Sequence, residues 1–283
     1  RNTNPYTQDM GIISFRDVSS CGTATAHSLP CMFSNMNRKG YKKIRANNQD
    51  NALDIIQRSG TSVLWKENDG GDKAVANKLK EVLIDPDTFP EYCSGSYCFD
   101  EVMLADFDQE IAEGNGKNKL FAFHIIGSHG PTYWKRYPQN KELFSPSCNQ
   151  SDIENCTDEE IINVYDNTIA YTDFVLAETI KKLESYKNEY NVALMYISDH
   201  GESLGENGLY LHGTPYSLAP DYQTKVPWYI WMDQAFEDAY QLDRQCLEDK
   251  AQQGGFSHDN FFHSLIDFSG VSTSAINRDM SII

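Results

Sequence analysis

Asp199 and His200 stand side by side in Ser-Asp-His-Gly-Glu, with Glu202 just after them and His212 further on among glycines. A hard carboxylate beside a borderline imidazole is a zinc-ligand pair by its chemistry. The dipeptide alone reads as easily as a turn cap next to a surface histidine. Other segments shift that balance. The stretch SSCGTATAHSLPCM over residues 19–32 places small hydroxyls at a helix start, where backbone N–H groups lack partners and an anion such as phosphate is welcome. Thr23 and Thr25 are its candidates for a reactive hydroxyl, with Thr23 nearer the cap and Thr25 facing the site. Asp69 and Lys73 lie in the polar loop ENDGGDK, and His124 and His129 bracket a second strand ending, HIIGSH. Zinc takes about four N, O or S ligands. Asp199, His200 and the Thr25 oxygen supply three, and metal binding would make the threonine a nucleophile at neutral pH. Lys73, His124, His129 and His212 form a second group suited to a phosphate and its leaving oxygen, or to a second zinc. A neutral histidine, His129 or His212, can protonate that oxygen.

These residues need a scaffold that gathers them. Residues 192–197 are six apolar residues in a row, a strand covered on both faces, and Asp199 follows directly. In open α/β sheets the ligand crevice lies beyond the carboxyl ends of the strands. Further strands are expected at 11–15, 61–65, 119–126 and 226–232. Helices are expected at 49–60, 74–83 and 99–112, in a run opened by the capping box Thr157–Glu160, and from 260 onward. The helix after Thr157 carries Ile162, Tyr165, Ile169, Leu176, Ile180 and Leu183 on one face. Pro30 should shorten the helix it sits in. Residues 132–156 read as a long aromatic loop, suited to packing and also to lipid contact. Strands alternating with helices predict an α/β fold, a three-layer α/β/α sandwich with a mainly parallel central sheet. Residues 1–283 read as a single domain.

Composition narrows the function. The chain has 283 residues, 40% of them hydrophobic, and a formal net charge of −17, which argues against nucleic acid as a partner. No run approaches the ~18 apolar residues of a spanning helix. Six of the seven cysteines lie in near neighbours: Cys21 and Cys31, Cys93 and Cys98, Cys148 and Cys156. Six cysteines allow about fifteen pairings and no sequence rule chooses among them. None sits in a CxxC frame, so zinc clusters are the weaker reading and an oxidising, periplasmic or extracellular compartment the stronger. Cys246 is left over, with a partner elsewhere or as a buried thiol. A chain that starts at Arg1 without Met is expected to have lost an upstream part.

The segments SCGTATAHSLPCMFSNM, Trp65 to Lys73, GSHGPTYWKRYP and SDHGESLGENGLYLHG together resemble the phosphoethanolamine transferases of Gram-negative bacteria. These lipid A modifying enzymes belong to the alkaline phosphatase superfamily, and their mobile relatives confer colistin resistance. The resemblance covers nearly the whole chain. It implies that Thr25 is the nucleophile and zinc ligand, and that Asp199 and His200 are zinc ligands. Asp69, Lys73, His124, His129, Glu202 and His212 fall at positions that bind the phosphoethanolamine group or a second zinc. It also implies three local disulfides, phosphatidylethanolamine as donor, lipid A as acceptor, and a monomer at the periplasmic face of the inner membrane. Two family features are expected to precede Arg1: a strand ending in a further zinc-ligating glutamate, and a membrane domain of several helices. A phosphatase, phosphodiesterase or glycerol-phosphate transferase on the same fold is the enzymatic rival. A non-catalytic periplasmic binding module is the rival from another class.

Overall fold

Strand β10 (Lys225–Met232) shows how the sequence builds the layers. Its residues alternate between two cores, as strand geometry requires. Trp228, Ile230 and Met232 join a cluster of 27 buried residues that includes Ala52, Leu53 and Ile56 of helix α3 (Ala52–Arg58) and Phe261, Phe262, Leu265 and Ile266 of helix α9 (His258–Phe268). Trp231 faces the other way, onto Ile180 of the long helix α5 (Asp158–Glu184). The sheet is thus covered on both faces, and the chain is the α/β sandwich its pattern predicts. The computed structural model describes residues 1–283.

Six strands form two three-stranded sheets. In the first, β10 lies between β1 (Ile13–Ser19) and β7 (Ala193–Ile197), antiparallel to both. β1 and β7 therefore run the same way and end on one edge, beside the start of β10, in the registers Ser19↔Lys225 and Ile197↔Trp228. In the second, β2 (Ser62–Glu67) is flanked in parallel by β3 (Lys80–Leu83) and β6 (Lys119–His124). β2 and β6 end together at Glu67↔His124. The parallel arrangement expected of the sheet is present, and β10 is the strand that runs against its neighbours.

Several boundaries differ from expectation for physical reasons. Residues 74–83 do not form a helix: Lys73 and Ala74 have φ of 50° and 70°, Asp72 accepts from the backbone of Ala74 and Ala76, and residues 80–83 pair with β2 instead. A local helical pattern loses to an open strand edge. β2 continues past Trp65 because the fully buried Lys66 meets Glu110 of helix α4 (Phe107–Glu113) at 2.8 Å. The helix carrying Thr25, α1 (Thr25–Met32), stops two residues after Pro30. The capping box Thr157–Glu160 is present and starts the 27-residue helix. The three near-neighbour cysteine pairs are disulfides, and Cys246 is an exposed free thiol rather than a buried one. The aromatic loop packs: Tyr133 and Tyr137 are buried with Val164, Tyr171 and Val175 of the long helix. No helix is long and apolar enough to cross a membrane.

Candidate functional site

Thr25 is the first residue of α1, and its hydroxyl lies 3.2 Å from His200 Nε2. The hydroxyl is free for this contact because it does not cap the helix. Thr23 does not cap it either: the cap position is Ala24, and the Thr23 hydroxyl donates to the Thr214 carbonyl at 2.7 Å. That bond, with Gly213 N–H donating to Thr23 O at 2.8 Å, ties the loop after His212 to the loop before Thr25. The Cys21–Cys31 disulfide closes the same element from its base.

Asp199 and His200 follow the end of β7. His200 Nδ1 donates to the Gly201 carbonyl at 2.8 Å, which leaves the Nε2 lone pair aimed at Thr25. Asp199 Oδ2 lies 3.6 Å from that Nε2 and is buried without any hydrogen-bond partner. A buried, unpartnered carboxylate oxygen beside an imidazole nitrogen and a hydroxyl is unfavourable unless a cation sits among them. The three residues therefore fit a zinc ion by ligand type and by need.

Around this trio the other residues form two arms. In the first, Glu67 accepts from His124 Nδ1 (2.7 Å), Trp65 Nε1 (3.0 Å) and Asp69 N–H (2.6 Å), while His124 Nε2 lies 3.5 Å from Asp69 Oδ2. Burial opposes the charged form of Glu67, but the bonds from His124, Trp65 and the Asp69 backbone hold its carboxyl below the usual range. His124 moves the other way: burial would lower it, and the hydrogen bond and charge of Glu67 raise it above an ordinary histidine. Asp69 is pushed up to about 7 by burial first, with the charges of Asp199 and Glu67 adding and His124 and Lys73 opposing. Three carboxylates thus converge where a positive charge would relieve them. Lys73 sits in this arm with its ammonium on the carbonyls of Gly70 and Gly71, both at 2.9 Å.

In the second arm, Glu202 is buried and held at both oxygens, by the Tyr133 hydroxyl at 2.6 Å and by His212 Nδ1 at 2.8 Å. The hydrogen bond to Glu202 raises His212 above the ordinary histidine value, against the burial that would lower it. The His212 ring lies 4.4 Å from that of His200 and 5.4 Å from that of His129. His129 is lowered by burial, then by Arg136 and His212, and its Nδ1 is buried without a partner. Ligand atoms of His200, Glu202 and His212 lie within 4.8 Å of one another, a second group able to hold a metal. Cys21, Cys31 and His27 meet the same spacing, but both sulfurs are committed to a disulfide.

The structure thus gathers Thr25, Asp199, His200, Glu202, His212 and His129 about one centre, with His124 and Asp69 in a flanking arm and Lys73 folded onto its own loop. Sequence reading missed four residues that hold this arrangement. Glu67 orients His124 and Asp69; the sequence reading ends the strand at Trp65 and leaves Glu67 in the polar loop, and only the register of β2 with β6 sets it beside His124. Tyr133 looked like packing and also holds Glu202. Asp100 is fully buried and accepts from Asn68 Nδ2 (2.8 Å), Ile126 N–H (3.0 Å) and Gly127 N–H (2.9 Å), fixing the turns that carry Asp69 and His129. His258 is buried at the start of α9; its Nδ1 accepts from Cys21 N–H and its Nε2 donates to the Ser198 carbonyl, both at 3.0 Å. It pins the end of β1 to the end of β7, and burial lowers it to about 4. No local pattern marks Asp100 or His258.

The family model described as Sulfatase matches residues 1–271. The phosphoethanolamine transferase EptA of Escherichia coli K12 is 42% identical over 273 residues, 96% of this chain and 50% of that protein. The phosphatidylethanolamine transferase Mcr-1 of Escherichia coli is 40% identical over 79% of this chain and 42% of its own length. The crystal structure of the soluble domain of lipooligosaccharide phosphoethanolamine transferase A from Neisseria meningitidis superimposes with a TM-score of 0.94 at 42% identity, covering 100% of this chain and 85% of that one. The chain spans about half the length of the curated relatives it matches.

Proposed function

We propose, from the premise that the chain belongs to the sulfatase family and within it to the phosphoethanolamine transferases, that it carries the chemistry of moving phosphoethanolamine from phosphatidylethanolamine to a phosphate of lipid A. The transfer passes through an ester on Thr25, at the periplasmic face of the inner membrane, and protects the cell from polymyxins. The observation that carries this reading is the Thr25 hydroxyl 3.2 Å from His200 Nε2, with the unpartnered Asp199 oxygen alongside.

Thr25, Asp199 and His200 would hold a zinc ion, which when bound lowers the pKa of the threonine hydroxyl and offsets charge on the phosphoryl oxygens. The chain's own residues do the rest. Thr25 Oγ1 releases its proton to solvent and attacks phosphorus; the P–O bond to diacylglycerol breaks, and its oxygen takes a proton from the imidazolium form of His212. His129, whose charged form burial and Arg136 disfavour, lines the site as a neutral hydrogen-bonding group. The hydrogen bond to Glu202 favours the charged form of His212 and orients it for that donation, and Tyr133 keeps Glu202 in place. In the second half a lipid A phosphate oxygen attacks the same phosphorus and Thr25 leaves, so the threonine is regenerated. The α1 N-terminus offers unpaired N–H groups to the transferring phosphoryl group. Asp69, His124 and Lys73 form the flank that meets the ethanolamine–phosphate group. Three disulfides support the oxidising compartment.

The test is to incubate the zinc-loaded protein with phosphatidylethanolamine and map added mass by peptide. A phosphoethanolamine adduct on Thr25, absent from Thr25→Ala, is expected. Free phosphoethanolamine with no lasting adduct would instead make the protein a hydrolase on the same scaffold.

A further inference from the structure

The chain carries 41 acidic residues, yet between Asp17 and Asp50 there is none. Within that gap lies RKGYKKIR, residues 38–45, which holds five of the 24 lysines and arginines. Lys39, Lys42, Lys43 and Arg45 are exposed, and neither they nor Arg38 make an ion pair, so five unpaired cations follow one another in a single short segment. The short helix α2 (Lys43–Ala46) sets Ile44 among these charges with its side chain 83% exposed. Lys42, Lys43, Ile44, Arg45 and Asn48 line an open surface hollow of about 630 Å³.

This patch sits on the rim of the site. The Tyr41 ring packs edge-on against His27, two residues beyond Thr25, at 5.0 Å. The Arg38 guanidinium lies 4.0 Å over the Tyr216 ring, which anchors the loop after His212; that loop exposes Leu218 (75%) and Tyr222 (56%). Unpaired cations and unsupported apolar side chains thus border the entrance to Thr25 on both sides.

We propose that this rim is the surface by which the domain sits on a bilayer bearing anionic phosphate headgroups. The charge pattern selects that partner: a chain of net charge −17 is repelled as a whole by an anionic surface, while this rim gathers five cations from a stretch of sequence without an acidic residue, so the charge that attracts also fixes the orientation. Basic side chains bind the phosphates while Ile44 and Leu218 enter the headgroup region, as interfacial segments do. The geometry would set the mouth at Thr25 against the plane from which both lipids of the transfer reading come. The proposal rests on that reading for its purpose, but not for its test.

The test is co-sedimentation of the 283-residue chain with vesicles of phosphatidylcholine alone or mixed with phosphatidylglycerol. Binding is expected only to the mixed vesicles, falling steeply between about 0.05 and 0.5 M salt as the Debye length shrinks. Each lysine or arginine near such a surface is worth roughly fivefold in affinity, so Lys42→Gln/Lys43→Gln/Arg45→Gln should weaken binding on the order of 100-fold. The charge-matched control Lys117→Gln/Lys181→Gln/Lys187→Gln should leave it unchanged or weaken it only slightly, by no more than about twofold. The rim variant should keep its turnover of a water-soluble phosphoethanolamine ester, which shows that it is folded. Equal loss in both triple variants, no binding to mixed vesicles, or salt-sensitive self-association in place of vesicle binding would overturn the proposal. Thr25→Ala should bind vesicles like the parent, so failure of the transfer reading and failure of the docking surface give different results.

Discussion

Replacing His258 by Phe should loosen the whole carboxyl edge of the first sheet, and the effect should fade as the pH falls. His258 is 2% exposed and bridges two backbone groups, Cys21 N–H before the helix of Thr25 and the Ser198 carbonyl before Asp199. Phe fills much the same space and satisfies neither group. Each buried polar group left unpaired costs about 1–3 kcal/mol, so the variant should lose roughly 4 kcal/mol at pH 7. The wild type carries a penalty of its own. Burial takes the His258 imidazole from 6.5 down to about 4, so between those values the unfolded chain binds a proton that the folded chain refuses. Its contribution to stability is complete above pH 6.5, drains away as the pH falls toward 4, and changes no further below that. Two and a half pH units at about 1.4 kcal/mol each give an upper limit of about 3.5 kcal/mol, of which about 3 kcal/mol is lost by pH 4.

Urea unfolding of both proteins at steps from pH 7 to pH 4 checks this, with the disulfides intact. Surface carboxylates titrate alike in the two and cancel in the difference. The gap between wild type and His258→Phe should therefore shrink from about 4 kcal/mol at pH 7 to about 1 kcal/mol at pH 4. A gap that stays constant would mean that His258 is not held neutral by its two backbone partners. A gap that widens toward acid would reverse the sign of the argument and refute it.

Three further outcomes follow from the site. Asp199→Ala and His200→Ala should each lower the zinc bound per chain in metal analysis, and chelation of the wild type should abolish the phosphoethanolamine ester on Thr25; unchanged stoichiometry in both variants would dismiss them as ligands. Asp100→Asn turns an amide donor toward some of the donors from Asn68, Ile126 and Gly127, and should cost about 2–3 kcal/mol in urea unfolding together with at least tenfold in kcat/KM. Cys21→Ser/Cys31→Ser opens a loop with a sequence separation of 10 and should cost about 3 kcal/mol on the chain-entropy account, read as a drop in Tm.

The central strand and the long helix were legible because each obeys one dominant rule. Residues 192–197 are apolar without interruption, and the helix after Thr157 announces its start by a capping box and its inner face by periodicity. Residues 74–83 were misread for the complementary reason. Their composition favours a helix, and only the vacant edge of β2, invisible in the sequence, makes residues 80–83 a strand. The same division runs through the site. Thr25, Asp199, His200 and His212 carry reactive groups in unusual local settings, so the sequence exposes them. Asp100 and His258 act through partners 26 and 237 residues away and contribute only hydrogen bonds, which have no local spelling.

That division has a consequence for how the site keeps its shape. The reactive groups sit on turns beyond strand ends, which are not rigid by themselves. Each turn is instead tied to another by a buried polar residue: His258 joins the turns after β1 and β7, Asp100 joins those after β2 and β6, and Glu202 joins the His212 loop to Tyr133. The pairs of turns that are tied are the pairs whose strands end together, β1 with β7 and β2 with β6, so the ties reinforce a register the sheet already sets. On the proposed transfer reading, a threonine that must meet a phosphorus within a few tenths of an ångström needs that second layer of constraint. Strand packing brings the turns to one edge, and the buried polar ties decide where on that edge each reactive atom stands.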